Sequence, residues 1–447
     1  MRRRDLLAGA GAVLTGGASG VAAAGGAVLT GEQAHAAMLR RLGIASLRPG
    51  VDGMNPAAVN PVNYDEARAG PFSLPPDPLA LPDGTPVTDA ETWREVQRPR
   101  IVEAFAREIH GRVSRGLPAP VWRTVKQERV TRGGVAVVER RLAGDVAAHG
   151  RTVTIDLLVG APEGWRQAPA VVELGFPDGP PWLRGRALPA GPEPQGKDWR
   201  DAVAARGWAY AIYAPTSVQP DDPGRLQDGI IGLANRGRPR GPQDWGALRA
   251  WAWGVSRVLD RFEADPAIDA RRVAVAGMSR YGKAALLAMA YEPRLLAGYI
   301  ASSGEGGAKL HRRRRGEQVE NLAAVGEHHW MAGNFLRYAG PLGADDLPVD
   351  AHSLIALAAP RALFIGTGAD ATDGWVDARG MFMAAAAASP VWRLLGGQGL
   401  DRMEFPPPLT LTAGDDLVFR QHAEGHTPGP NWPYFLEFAA RAFRRAA

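Results

Sequence analysis

Apolar positions change their spacing twice along the chain. From Arg48 to about Thr88 they are scattered among glycines and prolines, as in PFSLPPDPLALPDGTP, which predicts irregular coil. Over roughly Asp89 to His110, Trp93, Val96, Ile101, Phe105 and Ile109 recur at helical intervals, so this stretch reads as an amphipathic helix with Pro99 as a candidate kink. VAVVERRLA and RTVTIDLLVGAP then alternate apolar and polar residues, as antiparallel strands do. The short connection between them ends in His149 and Gly150, which suits a turn.

From Ala168 onward the spacing changes again. APAVVELGF, WAYAIYAP, RRVAVAGM, LLAGYIASSG and ALFIGTGA are short, nearly continuous apolar runs, each ending at or near Gly, Pro, Ser or Asp. Buried parallel strands read this way, because both of their faces are covered by helices. QDWGALRAWAWGVSRVLDRFEAD supplies one such helix, its apolar stripe running through Trp245, Leu248, Trp251, Val255, Leu259 and Phe262. WPYFLEFAARAF supplies the last. The predicted class is therefore α/β, with an open, mostly parallel sheet, helices on both faces and an antiparallel N-terminal entry. We divide the chain into a leader at 1–36, an extension packing on the core at 37–130 and a main domain at 131–447.

The predicted strand VAVAGM runs into GMSRYGK and then a helix. Strand, Gly-x-Ser corner, helix is the layout of the nucleophile elbow of α/β-hydrolases, where a tight turn exposes a serine hydroxyl at the carboxyl end of a strand. Here Gly277, Ser279 and Gly282 form a string one residue longer than G-x-S-x-G, and a serine that merely caps the helix fits the same letters. A nucleophilic serine needs a base and an acid, found in these folds in the order Ser, acid, His. Asp370, Asp373 and Asp377 follow the apolar run ALFIG, and His426 lies in a Gly/Pro-rich loop before the last helix. Among the other histidines, His328 and His329 form a pair with no third ligand at metal-site spacing, and His352 and His422 read as structural.

Composition narrows the chemistry further. Cysteine is absent, which excludes disulfides, a thiol nucleophile and Cys-based metal sites. The formal net charge of +5 is a small excess spread along the chain, so no nucleic-acid partner is expected. The densest basic run, HRRRRGE at His311 to Glu317, has no interleaved aromatics; it reads mainly as a solvent-facing segment that also steers acidic substrates. The opening MRRRDLLAGAGAVLTGGASGVAAAGG has the form of a twin-arginine export signal, with small-residue cleavage options around Ala22 to Ala24 or Ala34 to Ala36. A periplasmic or secreted protein, not inserted in a membrane after processing, is expected.

These residues resemble the glucuronoyl esterases of carbohydrate esterase family 15. Their elbow reads G-[CH]-S-R-x-G-K, matched here by Gly277, Ser279, Arg280, Gly282 and Lys283. Further similarity runs through SSGEGGA, VGEHHW, LPVDAHSLIALAAPRALFIG and EGHTPGPNWPYFLEF. The resemblance implies an α/β-hydrolase fold and a serine esterase, working without cofactor or metal, that cleaves the ester between 4-O-methyl-glucuronic acid on xylan and lignin alcohols. It implies Ser279 as nucleophile, His426 as base and Arg280 as part of the oxyanion hole. Lys283, Glu327 and Trp375 are implied as contacts to the uronic acid, and a monomer acting on glucuronoxylan or lignin–carbohydrate esters is expected.

Two positions depart from the family pattern. Met278 stands where many members carry a disulfide-bonded Cys, in keeping with the bacterial-type relatives that lack it. Ser302 stands where many carry a Glu, so the acid must come from elsewhere; Asp373 is the first choice, Asp377 the second and Glu305 the third. Two other readings remain open from sequence: an acetyl or other carbohydrate ester hydrolase using the same elbow, and a non-catalytic polysaccharide-binding homologue.

Overall fold

A computed structural model describes residues 28–73, 75–179 and 198–446. The arginine-led start of the export reading lies outside the described residues. Among the described residues there are ten strands: β1 (Val121–Arg132), β2 (Val135–Ala148), β3 (Arg151–Pro162), β4 (Ala168–Leu174), β5 (Ala209–Ala214), β6 (Ile268–Met278), β7 (Ala297–Ala301), β8 (Ala362–Gly368), β9 (Leu411–Ala413) and β10 (Leu417–His422). They form one sheet in the order β1-β2-β3-β5-β4-β6-β7-β8-β10-β9. β5, β4, β6, β7, β8 and β10 run parallel; β1, β2 and β3 form an antiparallel entry, and β9 turns back at the far edge.

Alternation along the central strands explains why stretches such as 273–276 of β6 carry no polar residue. Val273 and Val275 of β6 face the larger core with the helices Ala247–Glu263, Arg280–Tyr291 and Ala378–Leu394, whereas Ala274 and Ala276 face the C-terminal helix Trp432–Arg445. Both faces of the strand are thus dry. In the helix Ala247–Glu263 the expected stripe of Leu248, Trp251, Val255, Leu259 and Phe262 is buried. His149 and Gly150, both at positive φ, make the turn between β2 and β3.

Two local expectations need correction, and one strand was not expected. The amphipathic helix at 90–108 is interrupted by a π-helical stretch, Trp93–Gln97, just before Pro99. The wider turn rotates Val96 out to 42% exposure and brings in Gln97, whose amide donates to the carbonyls of Pro78 and Ala80. β1 had no sequence signal: its residues are almost all exposed or half-buried, so no apolar alternation marks it. The run His311 to Glu317 is internal. His311, Arg312, Arg313, Arg315 and Glu317 are buried and only Arg314 is exposed, because almost every buried charge meets an acid or carbonyl from another segment.

One further helix, Gly31–Leu42, overlaps the later cleavage option. Thr30 and Gln33 form a capping box at its start, and buried His35 pairs through Nε2 with the Ala323 carbonyl (2.9 Å).

Candidate active site

In open α/β sheets, ligands bind outside the carboxyl ends of the strands where the chain reverses its direction of travel across the sheet. Here that reversal falls at β4: β5 lies on one side of it and β6 on the other. Ser279 leaves β6 at that point with φ 57° and ψ −131°, a conformation that costs energy for a non-glycine residue. Its N–H donates to the Ala301 carbonyl at the end of β7 (2.9 Å), and its carbonyl accepts from Lys283 N (3.0 Å), which starts the helix Arg280–Tyr291.

The two motif glycines explain the length of the string. A Cβ on Gly277 would lie 2.3 Å from the Tyr281 carbonyl oxygen, and one on Gly282 would lie 2.7 Å from the Ala301 carbonyl oxygen. The helix therefore sits directly on the strand ends, and the second glycine is needed one turn along rather than two residues after the serine.

The structure brings Asp373 and His426 together. His426 Nδ1 donates to Asp373 Oδ1 (2.8 Å), linking the loop after β8 to the loop after β10. The other carboxylate oxygen accepts from Ser302 Oγ (2.6 Å), Thr367 Oγ1 (3.2 Å) and Gly368 N (3.2 Å). Burial opposes ionisation of Asp373, but the bonds from His426 and Ser302 outweigh it and hold the carboxyl below its usual range. Ser302, at the family's alternative acid position, thus serves as a hydrogen-bond donor to the acid at Asp373. His422 shapes the same loop by pairing with the Thr427 carbonyl (2.8 Å).

The other two acid candidates are committed elsewhere. Asp377 is fully buried, caps the helix Ala378–Leu394 through Gly380 N (3.1 Å) and pairs with Arg313 Nε (2.7 Å). Glu305 is fully buried between Lys309 (2.5 Å) and the His311 imidazole. Neither touches His426.

Arg280 pairs through Nε with Asp221 Oδ2 (2.6 Å). Asp221 also accepts from His329 Nε2 (3.0 Å) and Trp330 Nε1 (2.6 Å), so VGEHHW and the loop after β5 fix the guanidinium jointly. Burial keeps His329 neutral, with its proton on Nε2 facing Asp221.

Lys283 is buried at 3% exposure, not on the helix surface. Its Nζ donates to the Glu305 carbonyl (2.6 Å) and Glu317 Oε2 (2.8 Å) and sits 5.7 Å from the centre of the Trp330 ring. Glu327 completes the cluster. Burial, then repulsion from Glu317, pushes its carboxyl up to about 7, and its Oε2 is buried with no hydrogen-bond partner. Trp375 is half-buried, its ring edge against Gly53, and its carbonyl accepts from Glu317 N (2.8 Å).

Sequence reasoning missed Asp221 and Glu317. Glu317 closes the basic run read as surface, and Asp221 lies in PDDPG, which reads as a turn. Only their partners mark them out.

A family model described as glucuronyl esterase, fungi, matches residues 240–396. A carbohydrate esterase from an unidentified prokaryote is 31% identical over 84% of this chain and 91% of its own. A 4-O-methyl-glucuronoyl methylesterase of Schizophyllum commune is 30% identical over 72% of this chain and 73% of its own. Among solved structures, a glucuronoyl esterase from Teredinibacter turnerae superposes with a TM-score of 0.84 at 41% identity, covering 92% of this chain and 99% of that one. One from Solibacter usitatus gives 0.74 at 32%, covering 85% and 100%. Identity of this order across most of both chains, on the same fold, places this chain in carbohydrate esterase family 15, the glucuronoyl esterases.

Proposed function

We propose that Ser279, His426 and Asp373 act as a catalytic triad that cleaves esters of 4-O-methyl-glucuronic acid linking xylan to lignin alcohols. The protein is a carboxylic ester hydrolase, and a relative carries the name 4-O-methyl-glucuronoyl methylesterase. The observation that carries the residue assignment is the Asp373–His426 bond, joined to the strained Ser279 corner through Ala301, which accepts from Ser279 N, and Ser302, which donates to Asp373.

With its Nδ1 proton on Asp373, His426 has Nε2 free to accept the Ser279 proton. The serine attacks the uronoyl carbonyl. The oxyanion that forms is met by the N–H groups opening the helix at Arg280, unbonded within the helix, and by the Arg280 guanidinium that Asp221 holds. The alcohol leaves with the proton from His426, and water resolves the acyl-enzyme by the same steps in reverse. Lys283, Glu327 and Trp375 hold the uronate ring. Glu327 Oε2, buried and without a partner, is suited to a sugar hydroxyl, which restores the hydrogen bond that burial costs it.

Arg2 to Leu7 and the small residues after them support export to the periplasm or beyond. No helix among the described residues is long and apolar enough to cross a membrane.

Turnover of the benzyl ester of glucuronic acid, abolished by Ser279→Ala, is the expected result. Hydrolysis of acetyl esters with none of benzyl or methyl glucuronate would overturn the uronate assignment.

A further inference from the structure

The basic run also borders a second cavity, of about 590 Å³, whose described lining includes none of the triad residues and none of Lys283, Glu327 and Trp375. Arg48, Pro49, Asn60, His311, Arg312 and Arg314 are among its walls. Two cations there are not matched by an acid of their own. Lys309 Nζ donates to Glu305 Oε2 (2.5 Å) and His311 Nδ1 to Glu305 Oε1, so one carboxylate serves two cations and a positive charge is left over. Burial opposes protonation of His311, but Glu305, by its charge and its hydrogen bond, and then Asp350 outweigh it against Lys309 and raise the imidazole above its ordinary value. Nearby His110 is kept neutral by its burial. The His311 side chain is only 3% exposed, and its Nε2 has no hydrogen-bond partner among the described residues. Arg314 is the exposed member of the run. Its backbone is fixed by the Ala69 carbonyl (3.1 Å) and by Asn63 Nδ2 (2.8 Å), whereas no carboxylate bonds its guanidinium among the described residues. The remaining charges are engaged: Arg48 with Glu320 (2.9 Å) and three carbonyls, Arg312 with Asp350 (2.9 Å), and Asp345 with Ser73 Oγ (2.7 Å).

We propose that this cavity is a second ligand site, separate from the catalytic cleft, which binds an oxyanion through His311 Nε2 and the Arg314 guanidinium. An imidazolium whose Nδ1 is committed to a carboxylate has one N–H left to donate, and a guanidinium presents paired donors that match two oxygens of a carboxylate or sulfate. Such charge-assisted bonds are strengthened where water is largely excluded, as it is around His311. The ligand also restores the balance that Glu305 alone does not supply. The catalytic cleft takes the uronate as an ester, whose acyl end is uncharged; this cavity takes an ionised group instead. Pro49 and Val59 add apolar wall, so the cavity has room for a carboxylate on an organic body as well as for an inorganic oxyanion.

The test is calorimetric titration of the whole protein at pH 6 and constant ionic strength, with sodium sulfate in one arm and sodium glucuronate in the other. At least one is expected to bind saturably, and its affinity to fall about tenfold in Arg314→Gln and in His311→Gln. Saturable sulfate binding with that loss supports the site and assigns it to inorganic oxyanions; the same loss with glucuronate alone assigns it to sugar acids. Arg314 is exposed, so its variant is expected to fold and to turn over benzyl glucuronate at the parent's rate; should His311→Gln fail to fold, Arg314→Gln and the charge reversal Arg314→Glu decide the matter. Glucuronate binding untouched by the Arg314 variants belongs to the catalytic cleft and overturns the proposal. Failure of both anions to bind saturably overturns it too, without bearing on the esterase reading, which turnover of the ester tests separately.

Discussion

Asp373 sits among four hydrogen-bond donors, and it is this that separates it from the other acids. Glu305, Asp373 and Asp377 look alike as letters, each an acid shortly after an apolar run; only tertiary proximity reveals that two are bound to arginine, lysine or imidazole within the scaffold and one faces His426. Asp373→Asn is expected to lower kcat by roughly 10³- to 10⁴-fold, because the amide selects the wrong tautomer of the base. An Asp377→Asn variant with the larger loss of kcat would reverse the assignment. Ser302→Ala should raise the Asp373 value and shift the acid limb of the pH–rate profile upward; an unmoved limb would mean that Ser302 does not tune the acid. Glu327 has the opposite sign. Its folded value near 7 lies above the ordinary glutamate value of about 4.3, so its ionisation destabilises the folded state progressively between those two values and fully above them. Glu327→Gln is therefore expected to melt higher than the parent at pH 8, with the difference vanishing near pH 4. A difference independent of pH would show that the carboxyl is not perturbed.

At the scale of elements, the buried basic run does the work that a longer helix or strand would do elsewhere. Arg312 binds Asp350 (2.9 Å), Arg313 binds Asp377 (2.7 Å) and Glu66 (2.8 Å), and Arg315 binds Asp370. These pairs tie the segment before Glu317 to the loop bearing Asp373 and Trp375 and to the N-terminal segment. Removing one partner of a buried pair leaves the other charge uncompensated, so Arg313→Ala should lose about 3–5 kcal/mol in denaturant unfolding. A loss below about 1 kcal/mol would mark the pair as a surface-like contact. Such a run is invisible in sequence because charge density alone cannot say whether acids from distant segments will meet it. The elbow, the central parallel strands and the helix Ala247–Glu263 were legible for the opposite reason: their signals are local. β1 was not, because neither of its faces is dry.

For the whole molecule, the N-terminal segment is part of the catalytic body. His35 bonds the Ala323 carbonyl and its ring meets His328 edge-on at 4.8 Å, so the helix Gly31–Leu42 braces the stretch that carries Glu327. Cleavage around Ala34 to Ala36 would cut this helix, whereas cleavage around Ala22 to Ala24 would spare it. Terminal sequencing of the exported protein is expected to find the earlier site, and a protein starting at residue 44 should show a raised KM for glucuronate esters. An unchanged KM in that truncated form would separate the helix from the site. The two edges of the sheet bear on behaviour at high concentration. β9 is only three residues long, while β1 presents twelve residues along an open edge and carries Arg123, Lys126, Glu128, Arg129 and Arg132 there. Bare strand edges invite pairing between molecules, and charges of this kind discourage it. Replacing Lys126 and Arg129 with threonine is expected to let molecules pair edge to edge, so that the protein precipitates as it is concentrated.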